Sequence, residues 1–252
     1  MTRLSVNLNK IALLRNARAG TTPSVVDAAR TCIEAGAHGI TLHPRPDERH
    51  ATPKDVYAIA ALLERARQVA PGVELNVEGN PFHGLLEIVR RAQPAQCTLV
   101  PDDPAARTSD HGWDLARDGE RLAPVVAELR AAGIRVSLFM DAASRELDAV
   151  KALGADRIEL YTEPYAAAHG GPDSGATLAR FAAAADRARS LGLGVNAGHD
   201  LNLANLGDLC AIPAGVDEVS IGHALIADAL ALGLGNAVRV YLGRISSVGT
   251  RH

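Results

Sequence analysis

The sequence has little of what marks secreted, disulfide-stabilised or membrane-spanning proteins. Its three cysteines, Cys32, Cys97 and Cys210, are far apart and show no CxxC or CxxH spacing. We therefore predict buried thiols rather than disulfides or a cysteine zinc site. No apolar run approaches the ~20 residues of a membrane-spanning helix. Met1 leads into a β-like run without a signal-peptide pattern, so we expect a cytoplasmic protein without membrane contact.

Aromatic residues are also scarce, at 3% of the chain, and neither sign of charge dominates. The 26 Lys and Arg residues oppose 29 Asp and Glu residues, without a basic stripe. A nucleic-acid surface needs clustered cations and usually stacking rings, so we expect no nucleic-acid partner. The HxH and HExxH patterns and a clustered carboxylate trio are missing as well, and we predict no metal site.

The 252 residues do contain a regular alternation of short apolar runs and amphipathic runs. The apolar runs predict eight strands, at Leu4–Leu8, Gly39–Leu42, Val73–Val77, Gln96–Val100, Arg135–Phe139, Arg157–Leu160, Gly194–Asn196 and Glu218–Ile221. The amphipathic runs predict helices at Pro23–Ala35, Pro53–Val69, Phe82–Ala92, Glu120–Ala132, Ser144–Leu153, Ala176–Leu191, Leu203–Cys210 and Ala224–Leu242. Thr22 and Thr52 are the expected N-caps of the first two helices.

Four glycines follow predicted helices, and a β-like run begins two or three residues after each of them: Gly36, Gly133, Gly154 and Gly192. Glycine ends a helix well because it adopts the left-handed conformation without a steric penalty. Eight β-then-α units with such short joints predict an α/β protein, a single (β/α)8 TIM barrel with short extra helices. We expect one domain over residues 1–252. An open doubly wound sheet is the alternative, disfavoured because no GxGxxG follows the first strand.

The segment ITLHPRPDERH, from Ile40 to His50, begins as a strand and ends as a charged loop. Pro44 and Pro46 prevent it from continuing as a central strand or a helix. Its histidines and arginines repel one another and lose solvation when buried, which an anionic ligand would offset. One hypothesis is therefore a phosphate-bearing substrate at the end of this strand. The other is a solvated loop whose charges pair among themselves.

Active sites of TIM barrels lie at the carboxyl ends of the strands. Polar residues collect at those ends here: Asn7, Asn9, Lys10, His43, Arg45, Glu78, Asp102, Glu159, His199, Asp200 and His223. We predict Glu78 to be either a general acid/base or half of an ion pair with Lys10 or an arginine. Lys10 as a Schiff-base lysine is a further alternative. The loops at Gly198 and Gly222 fit a phosphate site, and the polar loop Pro101–Trp113 is a candidate lid.

Several segments together resemble the pyridoxine 5′-phosphate synthase family of vitamin B6 biosynthesis. They are VNLNKIALLRNAR at 6–18, GITLHPRPDERH at 39–50, LNVE at 75–78, LVP at 99–101, RVSLF at 135–139, VNAGH at 195–199 and IGHA at 221–224. The resemblance implies a TIM-barrel enzyme that condenses 3-amino-2-oxopropyl phosphate with 1-deoxy-D-xylulose 5-phosphate. The products are pyridoxine 5′-phosphate, phosphate and water. It also implies a homo-oligomer, an octamer, that uses no metal or organic cofactor.

Carried over by position, the resemblance implies that His43 and Glu78 are proton acceptors and that His199 is the proton donor. Residues implied to hold the amino-ketone phosphate are Asn7, Arg18, Gly222 and His223. Residues implied on the deoxyxylulose phosphate side are Asn9, Lys10, Arg45, His50 and Thr108. This chain departs from the family pattern, which usually has Asp-His in place of Asn9-Lys10 and Gly in place of Asp200.

Two other functions are compatible with such a barrel. One is a different phosphate-sugar enzyme, an epimerase or an aldolase. The other is a barrel that binds a phosphorylated metabolite without catalysis. The joint presence of His43, Glu78 and His199 favours an enzyme, since a purely binding protein does not need three acid/base groups.

Overall fold

The computed structural model describes residues 1–18, 20–66, 68, 70–103 and 109–247. Its eight strands run parallel and in sequence order around a closed barrel, in which the last strand pairs with the first. The strands are β1 (Arg3–Asn7), β2 (Gly39–Leu42), β3 (Glu74–Gly79), β4 (Gln96–Leu99), β5 (Arg135–Met140), β6 (Arg157–Tyr161), β7 (Gly194–Gly198) and β8 (Glu218–Ile221). The predicted (β/α)8 barrel is confirmed.

Helices surround this barrel. Those of the described residues are α1 (Asn9–Asn16), α2 (Val25–Glu34), α3 (Pro53–Ala66), α4 (Leu86–Ala92), α5 (Leu115–Ala131), α6 (Leu147–Ala152), α7 (Glu163–Ala168), α8 (Ser174–Ser190), α9 (Leu206–Cys210), α10 (His223–Leu232) and α11 (Leu234–Ser246). Alternate strand residues such as Leu4 and Val6 point outward and are fully buried beneath the helices, as the two-residue period of a strand requires. Among the helices of the described residues, none is long and apolar enough to cross a membrane.

Polar side chains fill the inside of the barrel. Gln96 Nε2 on β4 donates to Glu218 Oε1 on β8 at 3.3 Å, and Thr98 Oγ1 on β4 lies 3.2 Å from Glu159 Oε2 on β6. These strands are not neighbours in the barrel, so both hydrogen bonds cross its interior. TIM-barrel interiors are usually packed with branched apolar residues. A polar interior is therefore a departure that needs a functional explanation.

Ion pairs close the amino-terminal end of the barrel. Arg3 Nη1 lies 2.9 Å from Glu74 Oε1, and Arg135 pairs with the other oxygen of the same carboxylate. We call Arg3, Glu74 and Arg135 the basal cluster. It ties the starts of β1, β3 and β5 together.

Several helix boundaries differ from the sequence prediction. The helix predicted from Pro23 is α2, which begins only at Val25. Its N-cap is Ser24, whose side chain accepts a hydrogen bond from the backbone N–H of Asp27. Thr22 is therefore not the cap. The Thr52 cap is confirmed, because its Oγ1 accepts from the N–H of Asp55 at 3.3 Å. The predicted end of that helix at Val69 lies outside the described residues.

Two helices, α1 and α7, were not predicted at all. The predicted last helix is in fact two helices, because Gly233, with φ +77°, separates α10 from α11. The helix predicted from Phe82 starts only at Leu86, since His83 and Gly84 have non-helical backbone angles. The three cysteines are buried and free, as predicted.

Candidate active site

A cavity of about 270 Å³ opens at the carboxyl ends of the strands. It is lined by Asn7, Asn9, Lys10, His43, Arg45, His50, Glu78, Ser109, Glu159, His199, Asp200, Ser220, Gly222 and His223. Residues far apart in sequence meet here because all parallel strands of a barrel end at the same rim. The cavity brings together the predicted site residues with two exceptions: Arg18 does not line it, and Thr108 lies outside the described residues.

The ring of His43 lies between two carboxyl groups. Its Nε2 is 3.1 Å from Asp102 Oδ2, and its Nδ1 is 3.9 Å from Glu78 Oε2. Arg45 Nη1 donates to the same oxygen of Asp102 at 2.9 Å. Burial raises the pKa of Asp102, but hydrogen bonds and charge contacts with His43, Ser109 and Arg45 outweigh burial and lower it to about 2. Asp102 is therefore an anion that fixes the orientation of both neighbouring side chains.

Two asparagines hold the ends of the first three strands in position. Asn9 Oδ1 accepts from the backbone N–H of His43 at 3.0 Å, and Asn7 Oδ1 accepts from the N–H of Asn9 at 3.0 Å. Asn7 Nδ2 is 3.5 Å from Glu78 Oε2. The two side-chain amides thus connect the end of β1 to His43, which follows β2, and to Glu78 near the end of β3.

Glu78 and Glu159 are almost completely buried at the base of the cavity, with 5% and 2% of their surface exposed. Burial, followed by repulsion from Glu159, Asp102 and Glu218, raises the pKa of Glu78 well above its ordinary value. Burial and the charge of Glu218 raise the pKa of Glu159 to about 8. Carboxyl groups that retain protons near neutral pH are suited to general acid/base catalysis.

The alternative of an ion pair between Glu78 and Lys10 or an arginine is not observed in the part of the chain that the structure describes. Among the described residues, the basic side chain within 4 Å of Glu78 is the imidazole of His43, with 3.9 Å between Nδ1 and Oε2.

Gly198 leaves space for a second buried carboxyl group, because a Cβ atom on Gly198 would overlap Glu159 Oε1. A glycine at 198 therefore makes room for the Glu159 carboxyl group.

His199 has an unusual backbone conformation at the end of β7. Its φ of +94° lies in the left-handed region, where a non-glycine residue is strained and which often marks a functional site. Its ring centroid lies 5.3 Å from that of Phe139 and 5.7 Å from that of Tyr161. Burial lowers the pKa of His199 and outweighs the charges of Asp200 and Asp102, which raise it. Its imidazole is thus held by two aromatic rings and favours the neutral form.

Three basic side chains, Lys10, Arg45 and His50, lie on the other side of the cavity. His50 Nδ1 accepts from the N–H of Ala51 at 3.0 Å, so the proton of its neutral ring is on Nε2. Burial and the charges of His43, Arg45 and Lys10 lower the pKa of His50 to about 3. Such mutual repulsion is relieved by an anion.

The two hypotheses for the segment from Ile40 to His50 apply to different parts of it. His43, Arg45 and His50 turn into the cavity. Arg49 Nε instead pairs with Asp47 Oδ2 at 2.5 Å on the surface. The first hypothesis therefore suits the residues that line the cavity, whose basic side chains could face an anion. The second suits the outer turn, where Asp47 and Arg49 pair with each other in contact with solvent.

The end of β8 supplies the opposite wall. Gly222 is the N-cap of α10, and His223 is the first residue of that helix. A Cβ atom on Gly222 would approach Asn7 Cβ to 3.2 Å, so glycine allows close packing of β8 against β1. The first N–H groups of a helix have no partner within the helix, and no side chain caps α10, so its start is of the kind that stabilises an anion. Asp200 lies exposed at the rim, and Asn205 rather than Asp200 is the N-cap of α9.

Lys10 is exposed, whereas a Schiff-base lysine requires desolvation, so its environment does not favour an aldolase. Arg18 is exposed on the surface. Of the candidate lid Pro101–Trp113, residues 104–108 lie outside the described residues, and its lid role stays a prediction.

Sequence reasoning placed Asp102 and Glu159 at strand ends but assigned them no role. The signal for Glu159 was its register on β6, where Arg157 and Glu159 share one face and that face points inward. The signal for Asp102 was weaker, because its contacts with His43 and Arg45 join segments 57 residues apart or more.

The fold is similar to that of several solved enzymes of low sequence identity. Tryptophan synthase from M. tuberculosis has a TM-score of 0.62 at 14% identity, with 100% of this chain and 94% of that chain covered. Phosphoribosyl anthranilate isomerase from Thermotoga maritima has a TM-score of 0.57 at 15% identity, with 98% and 100% covered. At such identities the likeness shows the barrel fold alone.

Sequence comparison is more specific. The pyridoxine 5′-phosphate synthase of Xanthomonas campestris pv. campestris (strain B100) is 56% identical over 256 residues, which cover 99% of this chain and 98% of the relative. The enzyme of that name from Albidiferax ferrireducens is 53% identical over 246 residues, 96% of both chains. Residues 4–247 match the family model of the pyridoxal phosphate biosynthesis protein PdxJ. This chain therefore belongs to the PdxJ family of pyridoxal phosphate biosynthesis proteins.

Proposed function

We propose that this protein is a pyridoxine 5′-phosphate synthase, acting as a single barrel domain. It would condense 3-amino-2-oxopropyl phosphate with 1-deoxy-D-xylulose 5-phosphate, releasing phosphate and water. The observation that carries the proposal is the convergence of His43, Glu78 and His199 on one cavity beside cationic side chains. Full-length similarity to curated synthases supports it.

His43 is the proposed first proton acceptor. In the neutral tautomer that suits its contacts, Nε2–H donates to Asp102, and the lone pair of Nδ1 faces Glu78. An anionic partner that orients an imidazole and stabilises its protonated form is a recurrent device in acid/base catalysis. Asp102 thus acts as a positioning residue for His43.

Glu78 is the proposed second proton acceptor, and His199 the proton donor. Formation of a pyridine ring requires imine formation, elimination of one phosphate, carbon–carbon bond formation and dehydration, and each step moves protons. The lowered pKa of His199 favours its neutral form before substrate binds. A phosphate dianion nearby would raise that pKa, so substrate binding would protonate His199 and prepare it to donate.

The two phosphate groups have separate proposed positions. The amino-ketone phosphate would bind at Gly222 and His223 beside Asn7, where helix N–H groups are free. The deoxyxylulose phosphate would bind near Lys10, Arg45 and His50, where its charge relieves the cationic repulsion. Holding two substrates in fixed positions is itself a large part of such catalysis.

The direct test is incubation of the purified protein with both phosphorylated substrates, followed by detection of pyridoxine 5′-phosphate by its fluorescence. We expect product only when both substrates are present, and none with His43→Ala. Binding without turnover would instead indicate a non-catalytic barrel. A borohydride-trapped adduct on Lys10 would indicate an aldolase, and turnover of a sugar phosphate only with a divalent metal would indicate an epimerase.

We also propose that the protein is a homo-oligomer, an octamer as in the family it resembles, in which Arg18 serves the cavity of a neighbouring copy. Arg18 is exposed and does not line the cavity of its own chain. It follows α1, which exposes Leu14 to 56% and contacts α10, where Leu230 is 83% exposed. Exposed apolar groups on adjacent helices are typical of a protein–protein interface.

This proposal has a complementation test. Arg18→Ala and His43→Ala, each inactive alone, are unfolded together and refolded as mixed oligomers. If Arg18 acts between copies, the cavity of an Arg18→Ala chain receives an intact arginine from its neighbour, and activity returns. Mixed oligomers that stay inactive, or a protein that remains monomeric in sedimentation, would refute it.

A further inference from the structure

A continuous chain of hydrogen-bonding groups joins Glu78 to Glu159 inside the barrel. Asn76 Nδ2 lies 3.4 Å from Glu78 Oε1. Asn76 Oδ1 lies 3.2 Å from Thr98 Oγ1, which in turn lies 3.2 Å from Glu159 Oε2. The four side chains are buried and come from β3, β4 and β6.

The donors and acceptors of this chain match only in certain protonation states. A hydroxyl group has one hydrogen, so Thr98 can donate either to Asn76 or to Glu159 but not to both. If Glu159 carries a proton, it donates to Thr98, Thr98 donates to Asn76 Oδ1, and Asn76 Nδ2 donates to the Glu78 carboxylate. Each of these four side chains then has a hydrogen-bond partner within the chain of groups.

The same chain also works in the opposite direction. If the proton is on Glu78, it donates to the amide oxygen of a flipped Asn76, whose Nδ2 donates to Thr98. Thr98 then donates to the Glu159 carboxylate. An amide flip rotates only the end of the Asn76 side chain, and its oxygen and nitrogen then occupy each other's former positions, so the surrounding packing is unchanged. With both carboxyl groups ionised, by contrast, one partner in the chain is lost and two buried negative charges repel each other.

We propose that Asn76 and Thr98 are positioning residues that make Glu78 and Glu159 share one proton, so that a change of protonation at one carboxyl group reverses the chain and changes the other. Both carboxyl groups line the cavity, so the proton itself is exchanged through substrate or solvent there. The chain would ensure that Glu78 is ready to accept a proton whenever Glu159 holds one. The catalytic part of this inference rests on the proposed function, whereas the shared proton does not.

Other charged groups around the pair do not replace this link. Glu78 faces His43, Asp102, Glu159 and Glu218, and Glu159 faces Glu78 and Glu218. Groups that act on Glu218 are Arg157, Glu74, Arg135 and Arg3. The energies of these electrostatic interactions depend on the charges of the groups, but the interactions do not require one group to be a donor and the other an acceptor. The Asn76–Thr98 chain adds the direction, which only its hydroxyl and amide provide.

The test removes the Thr98 hydroxyl and observes the carboxyl groups directly. Infrared difference spectra across a pH titration report the C=O stretch of protonated carboxyl groups, and Glu159→Gln identifies the Glu159 band. In Thr98→Val we expect this band to titrate about one pH unit higher, because the carboxylate loses a hydrogen-bond donor. Thr98→Ser, which keeps the hydroxyl, should titrate like the native protein.

Ser137→Ala is the matched control. Ser137 lies beside Thr98 in the register of β4 and β5, its side chain is equally buried, and its hydroxyl has no hydrogen-bond partner among the described residues. We expect no shift of the band in this variant. A shift as large as that of Thr98→Val would mean that the band reports general repacking, and the proposal would fall.

A double-mutant cycle measures the coupling itself. Glu78→Gln should move the Glu159 band in the native background and move it much less in Thr98→Val. Equal shifts in the two backgrounds would overturn the proposal, because charge alone would then explain the coupling. The infrared measurement does not depend on enzyme activity. The shared-proton proposal can therefore fail while the synthase assay succeeds, or the reverse.

Kinetics provide the second readout. Thr98 does not line the cavity, so Thr98→Val should leave the KM of both substrates unchanged. Its kcat should fall about tenfold, the effect of losing one hydrogen bond to a charged group. The pH at which kcat falls on the alkaline side should move with the infrared band. A change in KM without a change in this pH dependence would assign Thr98 a purely structural role.

Discussion

Glu74 and Glu78 lie on the same strand, four residues apart, and have opposite electrostatic environments. At the amino-terminal end, burial raises the pKa of Glu74, but hydrogen bonds and charges of Arg135 and Arg3 outweigh burial and lower it. At the carboxyl end, burial and three neighbouring carboxyl groups raise the pKa of Glu78. Both glutamates lie on the inward face of β3, so the direction of their side chains does not explain the difference in pKa. What separates them is whether the protein itself supplies the opposite charge.

The same contrast holds for the cationic groups. Both arginines of the basal cluster pair with the Glu74 carboxylate. At the other end, His50 is crowded by His43, Arg45 and Lys10. The basal cluster thus pairs its charges internally, whereas a bound anion at the other end would further offset the positive charges around His50. Changes at the two ends should therefore affect different properties of the protein.

The largest effect is expected at Glu78. Glu78→Gln keeps the shape of a protonated carboxyl group but cannot exchange a proton, so kcat should fall by about 10²–10⁴-fold. Folding should be intact, because a neutral amide suits the buried position at least as well as a carboxylate. Product assays with circular dichroism check both expectations. Near-native turnover would remove Glu78 from the mechanism.

A smaller loss of activity is expected at Asp102. Asp102→Asn removes the charge that orients His43 and Arg45, and kcat should fall about tenfold to a hundredfold, as for loss of a charged hydrogen bond. Because the lowered pKa of about 2 keeps Asp102 ionised at every pH near neutrality, the loss should be the same across that range. Steady-state kinetics against pH test this prediction. Ser109→Ala, which removes a neutral partner of Asp102, is the milder comparison.

At the amino-terminal end we expect a change of stability without a change of chemistry. Glu74→Gln should lower the free energy of unfolding at neutral pH by about 1 kcal/mol, an amount that allows for solvent screening of a partly exposed pair. The folded-state pKa of Glu74 is lowered. Its contribution is therefore present above the unfolded pKa of about 4.3 and is lost as pH falls through the folded value.

Urea unfolding at neutral and acidic pH checks that sign. The native protein and Glu74→Gln should differ at neutral pH and converge in acid, while kcat stays near its native value. A difference that grows as the pH falls would contradict the assignment. So would a large loss of activity, because it would connect the basal cluster to the chemistry at the opposite end.

The smallest effect concerns ligand binding. Inorganic phosphate should bind at Gly222 and His223 and move their amide resonances, because the N–H groups at the start of α10 are free to donate. Binding should take up a fraction of a proton, since a bound anion raises the lowered pKa of His199. Calorimetry in buffers of different ionisation enthalpy measures this uptake. Amide resonances that stay unmoved at both residues would argue against the site.

Sequence patterns were sufficient for the parts of the molecule that depend on local periodicity. Strands β2 and β8 have the predicted bounds, and the strand ends identified most residues of the cavity. Helix α1 was missed because it follows β1 after a single residue and carries few apolar side chains toward the core, with Ala12 its one fully buried residue. The break between α10 and α11 was missed because the surrounding residues continue a helical pattern.

Contacts between distant segments could not be predicted from periodicity. The link from Asn76 through Thr98 to Glu159 depends on which inward side chains of three strands meet across the barrel. The resemblance supplied roles for single residues, such as Arg18, but not the surface on which they act. Predicting these features requires the closed barrel and its register, which only the three-dimensional structure provides.

The backbone of His199 has a consequence for how the protein can be altered. The φ of His199 is +94°, a conformation that glycine adopts without penalty, so the imidazole is kept there against a local strain of about 1–3 kcal/mol. Replacing His199 by glycine to relax this turn and raise thermostability would remove the proposed proton donor. At this position resistance to heat and reactivity are in direct conflict.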